Sequence, residues 1–428
     1  MRVKLAYGKK GLDLELDNDP YITVVENLHT AALPDPVEAL RHALRHPLET
    51  SSLRELVQPH QTVAIIFSDI TRPTPNHLIL PVILGELQHV PNDQIILCNA
   101  LGTHRPNTDA ELRQMLGDAL VDTYRIEQNN SADQSTQVHI GSSSFGHEIW
   151  LNRVLMQADV KILTGFIEPH FFAGFSGGGK AVMPGMAGEQ TVFGNHDAGM
   201  IANPNATWGV THGNPIWEEA REVALRARPD LLLNVTLNSD KEITGVFAGQ
   251  LAAAHDAGIA FVRESSMVPV TEPFDIVITT NSGYPLDMNL YQAVKGMSAA
   301  ERIVRPGGSI IIAAECSDGI PDHGLYGQML READTPKALF DSILNAAEAR
   351  QDQWQAQIQA RIQQRADVYV YSENLTDQQI RDALLLPCRD IAATVASLRE
   401  KYGANARIGI LPDGPQTIPD VQEPAEIH

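Results

Sequence analysis

Apolar runs of strand length recur along this chain, with helical patterns between them. Thr62–Phe67 and Gln94–Asn99 read as buried strands; an apolar helix spans Asn76–His89 between them, and a capped helix over Thr108–Leu116 follows. Val160–Leu163 and Leu231–Asn238 repeat the strand signal, and helices are predicted over Pro215–Arg228 and Gln250–Ser265. Strands that alternate with helices pair in parallel, because a parallel neighbour is reached only through a crossover. The ordering predicts an α/β protein.

Two domains are expected. The segment VPVTEPF interrupts the pattern near Ser266–Pro273, which divides the chain into 1–268 and 269–428. The second part repeats the alternation, with strands at Asp275–Thr280, Ser309–Ala314, Val368–Tyr371 and Arg407–Leu411. Its helices are predicted over Leu290–Val304, twice within Pro336–Arg365, and near Asp390–Lys401. The N-terminus alternates Val3, Leu5, Tyr7 and then Leu12, Leu14, Leu16 around Lys9-Lys10-Gly11, a hairpin signal. A strand at Tyr21–Glu26 and a helix at Pro36–His46, capped by Asp35, follow. The polar stretch from Ile126 to Gly146 is read as an excursion with short strands, and the tail after Pro412 as an irregular terminus. Phe166–His212 is rich in Gly, Phe and His and has no clean period; a loop-rich stretch of that length is commonly functional.

Composition excludes several classes. Lys plus Arg is 32 and Asp plus Glu is 53, so the formal charge is 32 − 53 = −21. Such a chain repels phosphate backbones, and nucleic-acid binding is not expected. Cys98, Cys316 and Cys388 build no disulfide framework and no CxxC site. No apolar signal core opens the chain and no run is long enough to span a membrane, so a soluble, cytoplasmic protein is expected.

Five segments carry candidate chemistry. Ser68-Asp69-Ile70-Thr71-Arg72-Pro73 follows a buried strand, at the strand end where α/β sheets bind ligands. Arg72 there suits a carboxylate or phosphate, although the same residues suit a turn capping the helix from Asn76. Asn99-Ala100-Leu101-Gly102-Thr103-His104-Arg105 ends the next strand and places His104 on the same sheet edge. In Glu168–Lys180, Gly174, four residues and Gly179-Lys180 nearly match a phosphate-binding P-loop, but Ala181 stands where a magnesium-holding Ser or Thr is needed. A phosphate held by backbone N–H groups remains open, as does a plain flexible loop. Gly194-Asn195-His196-Asp197 offers a single histidine for a metal. Glu148, Glu168, Asp197 and His212 could be read as a zinc hydrolase, without a helical His pair to support it. Tyr284-Pro285-Leu286-Asp287 and Tyr291–Met297 open the second domain, where Gln292 and Lys295 lie on the first part of a helix, an arrangement that also fits a solvated face.

Together these segments resemble the lactate racemase family that uses the nickel-pincer nucleotide. EPHFFAGFSGGGKAVMPGMAG, Glu168–Gly188, is the most specific match; SDITRP, LGTHR, GNH and YQAVKGM support it in the expected order. The resemblance implies a racemase or epimerase of 2-hydroxy acids, lactate or a related short-chain acid, with an active-site cleft between the domains. It implies a cofactor in which pyridinium-3-thioamide-5-thiocarboxylic acid mononucleotide holds Ni(II), made by dedicated maturation proteins. Carried over residue by residue, Lys180 attaches to the cofactor, His196 ligates nickel, and His104 and His170 act as acid and base. Ser176, Gly177, Gly178 and Gly179 hold the cofactor phosphate, and Asp69 and Trp354 also contact the cofactor. Arg72, Tyr291, Gln292 and Lys295 contact the substrate.

Three other readings were weighed. A nicotinamide-dependent dehydrogenase needs GxGxxG between strand and helix, which is missing. A P-loop-like nucleotide-binding enzyme is weakened by Ala181. A non-catalytic nickel-cofactor carrier would keep Lys180 and His196 but has no use for His104 and His170.

Overall fold

The computed structural model describes residues 1–26, 30–321 and 324–421. The chain forms two compact units, each built on a six-stranded sheet.

One unit comprises His29–His196 and Asn203–Glu264. Across its sheet the strands run Ile243–Gly249, Leu231–Leu237, Val160–Phe166, Val63–Ser68, Ile95–Ala100 and Arg125–Gln128. All pairs are parallel except the first. Alternate side chains leave each strand on opposite faces. Ile65, Phe67, Leu97, Ile162 and Leu233 join one core with Leu40, Leu44, Ile79 and Ile83 from helices. Ala64, Ile66, Cys98, Leu163 and Leu232 join another with Val182, Met186, Val223 and Ala224. The helix Pro36–Arg45 starts as expected: Asp35 Oδ1 accepts from the Glu38 N–H at 2.9 Å and Pro36 occupies the first turn.

Read in chain order, the strand from Val63 is followed outward on one side by those from Ile95 and Arg125, and on the other by that from Val160. The order therefore reverses between Val63–Ser68 and Val160–Phe166. In an open α/β sheet such a reversal opens a crevice at the carboxyl ends of the two strands, since their crossovers leave in opposite directions.

The other unit comprises Met1–Leu28, Asp197–Ala202 and Ser265–His428. Its six strands, Leu386–Cys388, Ala366–Tyr371, Val304–Ala313, Phe274–Thr280, Ile408–Leu411 and Ile22–Val24, are all parallel. The N-terminal hairpin forms, pairing Arg2–Leu5 with Leu12–Glu15.

The structure differs from or adds to the sequence reading in three places. The division into 1–268 and 269–428 does not describe the compact units, because the first residues pack with the C-terminal sheet. Val3, Leu5, Tyr7 and Leu14 share a core with Ile276, Ile278 and Ile311, and Ile22–Val24 extends that sheet beside Ile408–Leu411. Ile243–Gly249, for which no element was predicted, is an antiparallel edge strand; Gly245 and Gly249 break the alternation that would have announced it. The tail after Pro412 is not irregular throughout, since Ile418–Val421 pairs in parallel with Met267–Val270; residues 422–428 lie outside the described residues. Among the described residues no helix is long and apolar enough to cross a membrane.

Candidate active site

The crevice edge of the first unit gathers most of the residues singled out above. Asp69 follows Val63–Ser68 and is 3% exposed. His104 follows Ile95–Ala100 on a turn in which the Gly102 N–H donates to Gly185 O at 2.9 Å. His104 Nδ1 meets Asp69 Oδ2 at 2.6 Å, and Thr71 Oγ1 donates to the other carboxylate oxygen at 2.8 Å. Burial pushes the Asp69 carboxyl up; the hydrogen bond with His104 and the charge of Arg72 outweigh it and hold the group below the usual carboxylate range. An ionised carboxylate only accepts, so the proton of a neutral His104 sits on Nδ1 and Nε2 keeps its lone pair. The ring is 44% exposed, so Nε2 can reach a substrate. Arg72 is exposed on the same turn, its N–H donating to Asp69 O at 3.1 Å.

His170 follows Val160–Phe166, on the other side of the reversal. Its Nδ1 accepts from the Ala173 N–H at 3.2 Å and the Phe172 N–H at 3.5 Å. A neutral His170 therefore carries its proton on Nε2, opposite to His104. The His170 ring meets Phe172 edge to face at 4.5 Å between centroids.

Phe172 is a hub. The His196 ring meets it at 5.0 Å, and Lys180 Nζ lies 5.4 Å from its centroid. His196 caps the helix Glu189–Asn195, donating its N–H to Val192 O at 2.9 Å, and is 6% exposed. Burial, helped by the Lys180 charge, pushes its imidazole down to about 3, so the ring is neutral and able to ligate a metal. Among the described residues no group of three or more His, Cys, Asp or Glu could hold a metal ion. A metal beside His196 would have to arrive with donors of its own.

The glycine loop is braced from behind. Ser176 Oγ donates to Phe166 O at 3.0 Å and accepts from the Glu168 N–H at 2.9 Å. The Gly178 N–H donates to Asn234 Oδ1 at 2.7 Å, and His255 Nε2 donates to Ser176 O at 3.0 Å. A Cβ on Gly178, whose φ is +52°, would lie 2.1 Å from His255 Nδ1. The run is glycine because the platform leaves no room, which makes the loop stiff rather than flexible. Asn234 and His255 were missed in the sequence. The one signal was Asn234 itself, a polar residue inside the apolar strand LLLNVTL.

Tyr291, Gln292, Lys295 and Trp354 belong to the other unit. Asn289 caps their helix, Leu290–Glu301, by accepting the Gln292 N–H at 3.1 Å. Trp354 Nε1 donates to the Tyr291 hydroxyl at 3.2 Å, and Tyr326 meets the Tyr291 ring edge to face at 5.3 Å.

Known proteins share this chain's domains and fold. The lactate racemase N-terminal domain family matches residues 7–209, and the lactate racemase C-terminal domain family matches 270–418. The chain is 36% identical over 419 residues to the lactate racemase of Lactiplantibacillus plantarum, covering 96% of this chain and 98% of that one. It is 34% identical over 423 residues to the lactate racemase of Thermoanaerobacterium thermosaccharolyticum, covering 97% and 98%. The solved lactate racemase apoprotein of the latter organism superposes with a TM-score of 0.93 at 33% identity, covering 99% of this chain and 100% of that one. A Thermotoga maritima protein shares the fold at a TM-score of 0.70 and 17% identity, covering 92% and 100%. With two domain families and whole-length relatives in agreement, the chain belongs to the lactate racemase family and is an isomerase.

Proposed function

We propose that this protein inverts the α carbon of lactate or a related short-chain 2-hydroxy acid, with His104 and His170 as the acid–base pair. The observation that carries the reading is His104 held on the buried Asp69 with its Nε2 free to accept, while His170 follows the strand on the opposite side of Val63–Ser68. Inversion needs one proton removed from the hydroxyl and one returned, so a turnover begins with one histidine neutral and the other charged.

The α C–H bond is unactivated. Removing its hydrogen as a proton leaves a carbanion beside a carboxylate, whereas removing it as a hydride while the hydroxyl proton leaves gives a neutral ketone. When bound, the nickel-pincer nucleotide supplies the hydride acceptor. The residues at two points fit that group: a neutral buried imidazole at His196 suits nickel that brings its own donors, and Lys180 stands at the same aromatic ring for attachment; the phosphate role of Ser176–Gly179 is proposed from the family resemblance.

His104 takes the hydroxyl proton at Nε2, and Asp69 stabilises the imidazolium that forms. Arg72 holds the substrate carboxylate while the 2-keto acid turns over. His170, entering as the imidazolium, returns a proton to the oxygen as the opposite enantiomer forms and is left neutral while His104 is left charged, so the two histidines exchange protonation states. For Tyr291, Gln292 and Lys295 we propose substrate contacts, and for Asp69 and Trp354 cofactor contacts, as the family resemblance assigns them. Loading requires the cofactor maturation proteins as partners. Three free, buried cysteines support a reducing cytoplasm as the working compartment.

The test is to produce the chain with the pincer-maturation enzymes and replace each histidine separately. His104→Ala and His170→Ala should each lower lactate racemisation by about 10²–10⁴-fold with nickel and the Lys180 adduct retained. Unchanged rates in both variants overturn the acid–base assignment. A screen of 2-hydroxy acids then fixes the substrate.

A further inference from the structure

Glu219 is a buried carboxylate that the chemistry above does not use. It lies on the helix Pro215–Arg226 and is 2% exposed. Burying a carboxylate costs several kcal/mol unless donors surround it. Here there are three: the Ser143 hydroxyl and His147 Nδ1, at 2.9 Å, donate to Oε1, and Asn195 Nδ2 donates to Oε2 at 2.9 Å. Asn195 Nδ2 also donates to Ile216 O at 3.1 Å on the same helix.

Asn195 is the last residue of the helix that His196 caps. The preceding residue, Gly194, packs on the His147 ring, where a Cβ would come within 2.7 Å of Cγ. At the other end of the helix, Thr191 Oγ1 accepts from the Trp150 N–H at 2.7 Å and donates to Glu148 O at 2.9 Å. Each residue of Gly194-Asn195-His196 thus has a separate task. Glycine admits the His147 ring, asparagine is gripped by Glu219, and the histidine that follows is held on Phe172.

We infer that Glu219 is a positioning residue for the metal: through Asn195 it fixes the backbone from which the His196 imidazole reaches nickel. An apolar contact would hold the two helices together as well, but only a directional grip sets the rotation of the helix end. Residues that orient a metal ligand contribute strongly to retention of the metal. The inference rests on the nickel-pincer reading of His196.

The experiment uses protein loaded by the maturation enzymes and compares wild type, Glu219→Gln, Asn195→Ala and His196→Ala. Mass spectrometry counts the Lys180 adduct, and elemental analysis follows nickel per adduct during challenge with EDTA. Glu219→Gln and Asn195→Ala should keep the adduct and the folded circular dichroism spectrum but lose nickel about 10-fold faster than wild type. Adding Glu219→Gln to His196→Ala should speed the loss no further. Should Glu219→Gln fail to fold, Asn195→Ala, which leaves the carboxylate and its other two donors in place, carries the test. Nickel loss at the wild-type rate in a folded, adduct-bearing variant overturns the inference. An absent adduct in wild type, under conditions that load another family member, overturns the cofactor reading and this inference with it.

Discussion

The two units differ in the ionisable groups they bury. The unit holding the crevice buries many amides too, but it also buries several ionisable groups: Asp69, His196, Glu219 and His255 are each at most 6% exposed. In the other unit the largest group is a row of amides on the helix Gln353–Arg365, where Gln353, Gln355, Gln357 and Gln359 are all buried. The amides brace backbone. Gln355 Nε2 donates to Tyr291 O, Gln357 to Ala198 O at 2.8 Å, and Gln359 to Ala383 O at 2.8 Å while accepting from the Tyr326 hydroxyl. Asp287 is an ionisable exception there, taking the N–H groups of Gly8 and Glu315. An amide carries no charge to desolvate, so it suits a purely structural brace; an ionisable group in the same place needs a full set of partners or a task.

Exchanging the two kinds of group tests that difference most directly. Gln359→Glu should destabilise the protein by about 3 kcal/mol or more, because a carboxylate would face Ala383 O where an N–H now donates. Gln359→Leu should cost less, about 1–3 kcal/mol, from the partners left unpaired. Equal losses for the two in urea denaturation would break the comparison. On the ionisable side, Gly178→Ala should cost about 2–3 kcal/mol through collision with His255 and the left-handed backbone. Pairing it with His255→Ala should return part of that loss, measured in the same way, if His255 is the platform.

The Asp69–His104 pair sharpens the contrast through pH. Asp69 is held below its ordinary range when folded, so its contribution is full above the unfolded pKa of about 4 and is lost as pH falls through the lower folded value. Asp69→Asn should therefore cost about 1 kcal/mol at pH 7, allowing for the half-exposed ring, and the gap to wild type should close in acid. A gap that widens in acid would reverse the sign argued here. Smallest of the four, Asp35→Ala removes an exposed helix cap that belongs to neither polar set and should cost about 0.5–1 kcal/mol with racemisation unchanged.

Much of the crevice was legible in the sequence because its residues sit in short segments at strand ends. Val63–Ser68, Ile95–Ala100 and Val160–Phe166 announced themselves as apolar runs, and Asp69, His104 and His170 follow them within four residues. What supports those residues was not legible. Ser176 and His255 are 79 residues apart, Gly178 and Asn234 are 56 apart, and Asn195 and Glu219 are 24 apart. Glu219 in particular reads as an ordinary charge on an amphipathic helix until Ser143, His147 and Asn195 are seen around it.

The division of labour follows from range. Apolar period, helix caps such as Asp35, and the glycine-histidine segments act over a few residues, so the sequence by itself determined the α/β alternation, most strand positions and the candidate chemistry. Sheet order, the placing of the N-terminal hairpin with the C-terminal sheet, and the antiparallel strand Ile243–Gly249 were decided only by tertiary structure. Each depends on which surfaces distant segments find to bury, and that is a property of the packed chain rather than of any window along it.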